Sequence, residues 1–205
     1  MKRLFLASYF AFVSDLLLPL LPKPPSAMKL AFIPTAADPY PIKPWFYGDK
    51  MKLQLMGFQM KDVDLKGKTQ EQVQSELTGM DAIFVSGGNT YYLLDHVVKS
   101  GFDSVVKDMV KKGVVYIGSS AGSALACPTI EHIEDFDDKS IVELSSYEGL
   151  GLTQTLLLPH YGEAKYEQRF AAIVKKWEEK GKTLLLLRNS EVLVITDDKE
   201  VVKSI

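Results

Sequence analysis

The five residues Gly118-Ser119-Ser120-Ala121-Gly122 constrain this 205-residue chain more than any other stretch. They follow the apolar run Gly113 to Ile117 and precede small residues suited to a helix start, so the pattern G-x-S-x-G falls at a strand-to-helix turn. In such an elbow the central serine hydroxyl projects above the sheet, and the N–H groups that follow point at a developing oxyanion. Small neighbours are a steric requirement, because the backbone there is strained and passes close to both sheet and substrate. A tight connection without chemistry has the same local pattern, so the rest of the chain must separate the two.

Short apolar runs alternate with longer amphipathic stretches. Strand-like runs lie at Leu4 to Ala7, Leu30 to Pro34, Asp62 to Leu65, Ala82 to Val85, Val114 to Ile117, Leu156 to Leu158, Leu184 to Leu187 and Val192 to Ile195. Helical spacing marks Lys50 to Met56, Thr69 to Leu77, Tyr91 to Lys99, Phe102 to Lys112 and Tyr166 to Lys180. This alternation predicts an α/β fold: a mostly parallel sheet covered by helices on both faces, in one domain over residues 1–205. Pro22-Lys23-Pro24-Pro25 reads as a stiff connector between elements. The stretch Ala36 to Gly48 reads as a loop after the second strand, its Trp45, Phe46 and Tyr47 anchoring it to the core or lining a pocket. Glu131 to Lys139 is acidic and aperiodic, and reads as an exposed loop.

Composition removes several classes. Net charge is −2 with both signs interspersed, so no basic face for nucleic acid is expected. Asp15 and Pro19 interrupt the longest apolar candidate near the start, which argues against a membrane span, and no clean cleavage site marks a secretory signal. The single cysteine, Cys127, cannot form an intrachain disulfide and fits a reducing, cytoplasmic setting; it reads as a buried small residue. A homodimer is left open.

A nucleophilic serine needs a base, and the base needs a group to orient it. Of three histidines, His96 falls on a helical pattern and His132 among acids, whereas His160 follows Leu156-Leu157-Leu158-Pro159, just past a buried strand. That position puts His160 at the edge where the elbow also lies. A second Gly-rich turn, Ser86-Gly87-Gly88-Asn89-Thr90, follows the strand Ala82 to Val85 and opens a helix, so its N–H groups can hold an oxyanion or an anionic substrate group; Asn89 or Thr90 can equally be a plain helix cap. A metal site from Glu131, His132, Glu134 and Asp135 lacks supporting helical spacing and is not expected.

Taken in order, Gly87-Gly88-Asn89-Thr90, Gly118 to Gly122 with Ala126-Cys127-Pro128-Thr129-Ile130, Pro159-His160-Tyr161 and Glu167-Gln168-Arg169 resemble peptidase family S51, from the first strand to the chain end. The resemblance implies a flavodoxin-like three-layer sandwich related to class I glutamine amidotransferases, with serine replacing their nucleophilic cysteine. It implies a cofactor-free, metal-independent serine hydrolase acting on small peptides such as Asp-X dipeptides. Carried over, Ser120 is nucleophile, His160 base, and Gly88 and Ala121 the oxyanion donors, while Asn89, Tyr166 and Arg169 fall on the substrate side.

Two departures from the family pattern stand out. Where the family has a glutamate orienting the histidine, this chain has Asn189, a neutral acceptor that cannot offset the imidazolium charge; in the chymotrypsin-type triad the comparable Asp-to-Asn change lowers turnover about 10⁴-fold. Glu191 and Asp135 are the alternative third members. Where the family has an arginine ahead of Glu-Gln-Arg, suited to bidentate capture of a substrate carboxylate, this chain has Tyr166, so specificity for N-terminal Asp is expected to be altered. The competing reading is an impaired relative that binds a small ligand or partner at the same cleft. An amidotransferase module is disfavoured, because the elbow residue is Ser and the cysteine lies seven positions further on.

Overall fold

In chain order the strands are β1 (Arg3–Ala7), β2 (Lys29–Ile33), β3 (Gln59–Asp62), β4 (Ala82–Val85), β5 (Val115–Ser119), β6 (Leu156–Leu158), β7 (Leu184–Leu186), β8 (Glu191–Thr196) and β9 (Lys199–Ser204). The helices are α1 (Phe10–Val13), α2 (Pro44–Leu55), α3 (Gln70–Leu77), α4 (Thr90–Ser100), α5 (Phe102–Lys111), α6 (Ala121–Leu125) and α7 (Glu167–Glu179). This computed structural model describes residues 1–134 and 136–205, with Lys165 through its backbone alone.

Seven strands form one sheet in the order β3-β2-β4-β5-β1-β8-β9. The first five run parallel, and β8 and β9 run antiparallel to their neighbours. β6 and β7 form a separate parallel pair. The alternation of side chains along each strand divides the core in two. Leu4 and Leu6 of β1, with Ile83 and Val85 of β4, face α3, α4, α5, α6 and α7. Phe5 and Ala7, with Phe32, Phe84 and Ile117, face α1 and α2, where the Phe32 and Phe84 rings stack with centroids 5.1 Å apart. The result is the flavodoxin-like three-layer α/β sandwich anticipated above. Among the described residues no helix is long and apolar enough to cross a membrane.

Several elements depart from the sequence reading. Helix α2 starts at Pro44, inside the expected loop, because proline is preorganised for the first helical turn and Phe46 gains burial in the core. Strand β3 pairs with β2 from Gln59, ahead of the expected Asp62 to Leu65; an edge strand tolerates polar residues, and Val63 and Leu65 are buried beyond its end. Edge strand β9, absent from the reading, hydrogen-bonds β8 through mostly exposed side chains and so carries little hydrophobic signal. His132 is fully buried, its Nε2 2.8 Å from the Leu157 carbonyl oxygen.

Candidate active site

Parallel strands that end side by side deliver their next residues to one rim. Register pairs Ala7 of β1 with Ser119 of β5, and Val85 of β4 with Gly118 of β5. Ser8, the turn Ser86-Gly87-Gly88 and Ser120 therefore emerge together. Because β8 is antiparallel, it enters at this same rim: Val192 pairs with Ala7, which places the preceding Asn189 beside Ser8. His160 follows β6 by the short link Pro159.

Ser120 has φ 50° and ψ −107°, a conformation a side-chain-bearing residue adopts only when its surroundings impose it, at a cost of order 1–3 kcal/mol. The imposing contacts are backbone ones. Ser120 N donates to Ala7 O at 3.0 Å, and Ser120 O accepts from the N–H groups of Ser123 and Ala124 at 2.9 and 3.0 Å. Gly122 lets the elbow helix sit against β4, since a Cβ there would lie 2.1 Å from Val85 O.

The hydroxyl so presented lies 2.8 Å from His160 Nε2, and His160 Nδ1 lies 2.8 Å from Asn189 Oδ1. His160 also holds a positive φ, 67°, stabilised by its N–H donating to Ser8 Oγ at 2.8 Å. The Ser8 hydroxyl in turn donates a hydrogen bond to Asn189 Oδ1 at 3.0 Å. At its other end, Asn189 Nδ2 donates to Glu163 Oε1 at 2.8 Å. The amide thus has its nitrogen on the carboxylate and its oxygen towards the ring, which assigns the ring proton to Nδ1 and leaves Nε2 as acceptor for the serine proton.

These groups open on a cavity of about 580 Å³. Its wall includes Tyr40 and Trp45 from the segment after β2, and Phe136, Asp137 and Tyr166 opposite. Trp45 therefore lines a pocket, its Nε1 donating to Gly87 O at 3.4 Å, while Phe46 anchors the helix. Asp137 accepts from Thr90 N and Thr90 Oγ1 at 2.7 and 2.6 Å, and burial pushes its carboxyl above the usual range. Burial, helped by the nearby Asp137, also pushes Tyr40 up to about 12. Gly88 and Ala121 both line this cavity, and among the described residues their N–H groups have no acceptor. Gly88 must be glycine: φ is 149° and a Cβ would lie 1.9 Å from Ala36 O.

Other expected site residues lie elsewhere. Asn89 caps α4, its Oδ1 accepting from Tyr92 N at 2.9 Å and its Nδ2 donating to Asp138 O at 2.8 Å, and its side chain lies beside Tyr40 of the cavity wall without itself lining the cavity. Arg169 lies on an exposed part of α7, its guanidinium 5.9 Å from the Tyr166 ring, and does not wall the cavity. Glu191 accepts from Arg188 N at 2.8 Å, closing the turn before β8, and makes no hydrogen bond to His160. Asp135 lies outside the described residues.

Cys127 is buried with its thiol pushed up to about 12 by burial, which leaves it a poor nucleophile. Burial pushes His132 down to about 4, so it stays neutral. Among the described residues no three His, Cys, Asp or Glu side chains are grouped to hold a metal ion. Two contributors went unread in the sequence, Ser8 and Glu163. The available signals were a lone polar residue ending a buried strand, and an acid three residues beyond the histidine across Gly162.

The model of peptidase family S51 matches residues 4–202. An uncharacterized peptidase of Listeria monocytogenes is 29% identical over 207 residues, covering 99% of this chain and 98% of that one. A peptidase E of Nostoc is 33% identical over 141 residues, covering 68% of this chain and 54% of that protein. The crystal structure of a putative peptidase E protein from Listeria monocytogenes superimposes with a TM-score of 0.92 at 28% identity, covering 100% of this chain and 99% of that one. With nearly its whole length matched in this way, the chain belongs to peptidase family S51.

Proposed function

We propose that the protein is a serine-type hydrolase that cleaves short peptides through an acyl-enzyme on Ser120. The observation that carries this reading is the 2.8 Å contact between Ser120 Oγ and His160 Nε2 at the mouth of the cavity. Nε2 takes the hydroxyl proton as Oγ attacks the substrate carbonyl carbon, and the N–H groups of Gly88 and Ala121 receive the oxygen as it becomes negative. The protonated ring then gives its proton to the leaving amine as the C–N bond breaks. Water, deprotonated by the same Nε2, releases the acyl group. Asn189 holds the ring in register throughout. The one cysteine, free and buried, fits a reducing compartment such as the cytoplasm.

Specificity is the altered part. Among the described wall residues there is no arginine or lysine to pair with a substrate aspartate, and two carboxyl groups, Asp137 and Glu163, face the space instead. With Tyr9, Tyr40, Trp45, Phe136 and Tyr166 around them, this chemistry favours substrates that bring a free amino group and an apolar or aromatic side chain. A dipeptide panel tests the reading. Wild type is expected to hydrolyse neutral aromatic or aliphatic dipeptides at least about tenfold faster than Asp-X, and Ser120→Ala to hydrolyse none. Saturable binding of the panel without hydrolysis by wild type would instead identify an impaired relative that binds ligand at the same cleft.

A further inference from the structure

The group that faces His160 Nδ1 is a neutral amide, and a carboxylate stands one amide further along. We propose that Glu163 is a positioning residue that acts on His160 through Asn189, fixing which end of the amide faces the ring and lending that amide negative charge. This rests on Ser120 and His160 being nucleophile and base.

An amide side chain can present either end, and the two ends select opposite tautomers. With Oδ1 towards the ring, His160 carries its proton on Nδ1 and can accept from Ser120; with the NH₂ end there, the proton moves to Nε2 and the serine has no base. A carboxylate only accepts hydrogen bonds, so Glu163 Oε1 admits Asn189 Nδ2 and no other end of that amide, at 2.8 Å. The Ser8 hydroxyl, donating to Asn189 Oδ1 at 3.0 Å, enforces the same choice from the far side. Charge follows the same path. A hydrogen bond from the amide to an anion polarises it, making Oδ1 a stronger acceptor when the ring becomes cationic.

Geometry ties the two ends of the relay together. Glu163 and His160 share one turn, closed by Glu163 N donating to His160 O at 3.2 Å and permitted by Gly162 at φ 85°. Tyr161 N donates to Leu187 O at 2.9 Å, which pins that turn to the end of β7, two residues before Asn189. Among the described residues, the other titratable groups near the ring are Tyr166 from the start of α7, with its ring centroid 6.0 Å away, and Tyr9, Tyr40 and Asp137, which line the same cavity. Asp137 Oδ2 accepts from Thr90, and Glu191 Oε2 from Arg188 N. Among the described carboxylates, Glu163 alone is hydrogen-bonded into the chain that ends on Ser120.

Two variants and two readouts test the relay. Glu163→Gln keeps the shape and one acceptor but removes the charge, and Glu163→Ala removes both. The first readout is the rate at which a fluorophosphonate acylates Ser120 across about pH 5 to 9; the second is the titration of the His160 ring by ¹⁵N NMR. Removing an anion disfavours the imidazolium, so in Glu163→Gln the ring pKa and the acid limb of the labelling profile should both move to lower pH, with the plateau rate down about tenfold. Glu163→Ala should fall about a hundredfold, as the amide is also freed to turn. A packing role would slow labelling without moving the limb. An unchanged ring titration in Glu163→Gln, or a loss confined to KM for dipeptides, would overturn the proposal, and if Glu163→Ala fails to fold, Glu163→Gln decides alone. Wild type that resists the probe would sink the hydrolase reading, while the NMR titration would still judge Glu163.

Discussion

The rim over β1, β4 and β5 and the rim over β6, β7 and β8 meet at the 2.8 Å hydrogen bond between Ser120 and His160 and at the Ser8 hydroxyl, yet they are built from different materials. On the first side the backbone does the holding. Ser120 is locked by main-chain bonds to Ala7, Ser123 and Ala124, and by glycines where a Cβ would strike a carbonyl. On the second side the holding is done by side chains, in the line Glu163, Asn189, Ser8 and His160. Backbone frames are specified by steric exclusion and tolerate almost no substitution. Side-chain networks are specified by donor and acceptor matching, and one member can be exchanged if a neighbour compensates.

That contrast predicts unequal responses to mutation. The largest effect belongs to the backbone side: Gly122→Val would force a branched side chain into Val85 O and should remove folded protein altogether, as read by circular dichroism and thermal melting. Soluble, active Gly122→Val would show that the elbow is not sterically locked.

Next comes the side-chain side. Asn189→Glu restores the acid found in the family pattern, but here its carboxylate would meet Glu163 Oε1 where Asn189 now donates a proton. Two adjacent carboxylates share a proton or repel, so the single variant should lose about tenfold to a hundredfold in acylation rate, and adding Glu163→Gln should recover most of it. Equal rates in the single and double variants would break the idea that the two positions answer to each other.

A smaller effect probes the layer beneath the elbow. Asp49 is fully buried, accepts from Ala11 N at 2.9 Å and lies by the Ser119 hydroxyl, and burial pushes it up to about 7. A carboxyl with a raised folded pKa stabilises the fold in its protonated form. Its contribution is complete below the unfolded value near 3.8 and is lost as pH rises towards about 7. Across that window, wild-type stability should fall by up to about 1.4 kcal/mol per pH unit from this group, and Asp49→Asn should flatten the slope, measured by urea unfolding at a series of pH values. An unchanged slope in Asp49→Asn would show that the carboxyl ionises normally.

The same contrast explains what could be read from the sequence. Apolar runs buried on both faces announce parallel strands, so the sandwich was legible from Leu30 to Pro34, Ala82 to Val85 and Val114 to Ile117. The elbow was legible too, because steric necessity leaves glycines in the sequence. His160 could be placed by its position after a buried strand. Partners joined by side-chain hydrogen bonds leave no such trace: Ser8 and Asn189 are 181 residues apart, and Glu163 resembles any acid in a polar turn. Asn89 serves as the cap of α4 beside a glycine pair, a local role that the sequence also allowed, and the acidic neighbours of His132 hid a buried ring packed 5.9 Å from Trp177. Arg169 lies beside Tyr166 and outside the cavity lining, a placement the sequence could not give because a helix face cannot be assigned without knowing what covers it.

The most direct measurement is intact-protein mass after reaction with a fluorophosphonate, followed by peptide mapping, on wild type, Ser120→Ala and His160→Ala. A single phosphonyl adduct on Ser120 in wild type, absent from Ser120→Ala and slowed at least about a thousandfold in His160→Ala, is the predicted result. No adduct on folded wild-type protein, or an adduct formed as fast in His160→Ala, would contradict the pairing of these two side chains.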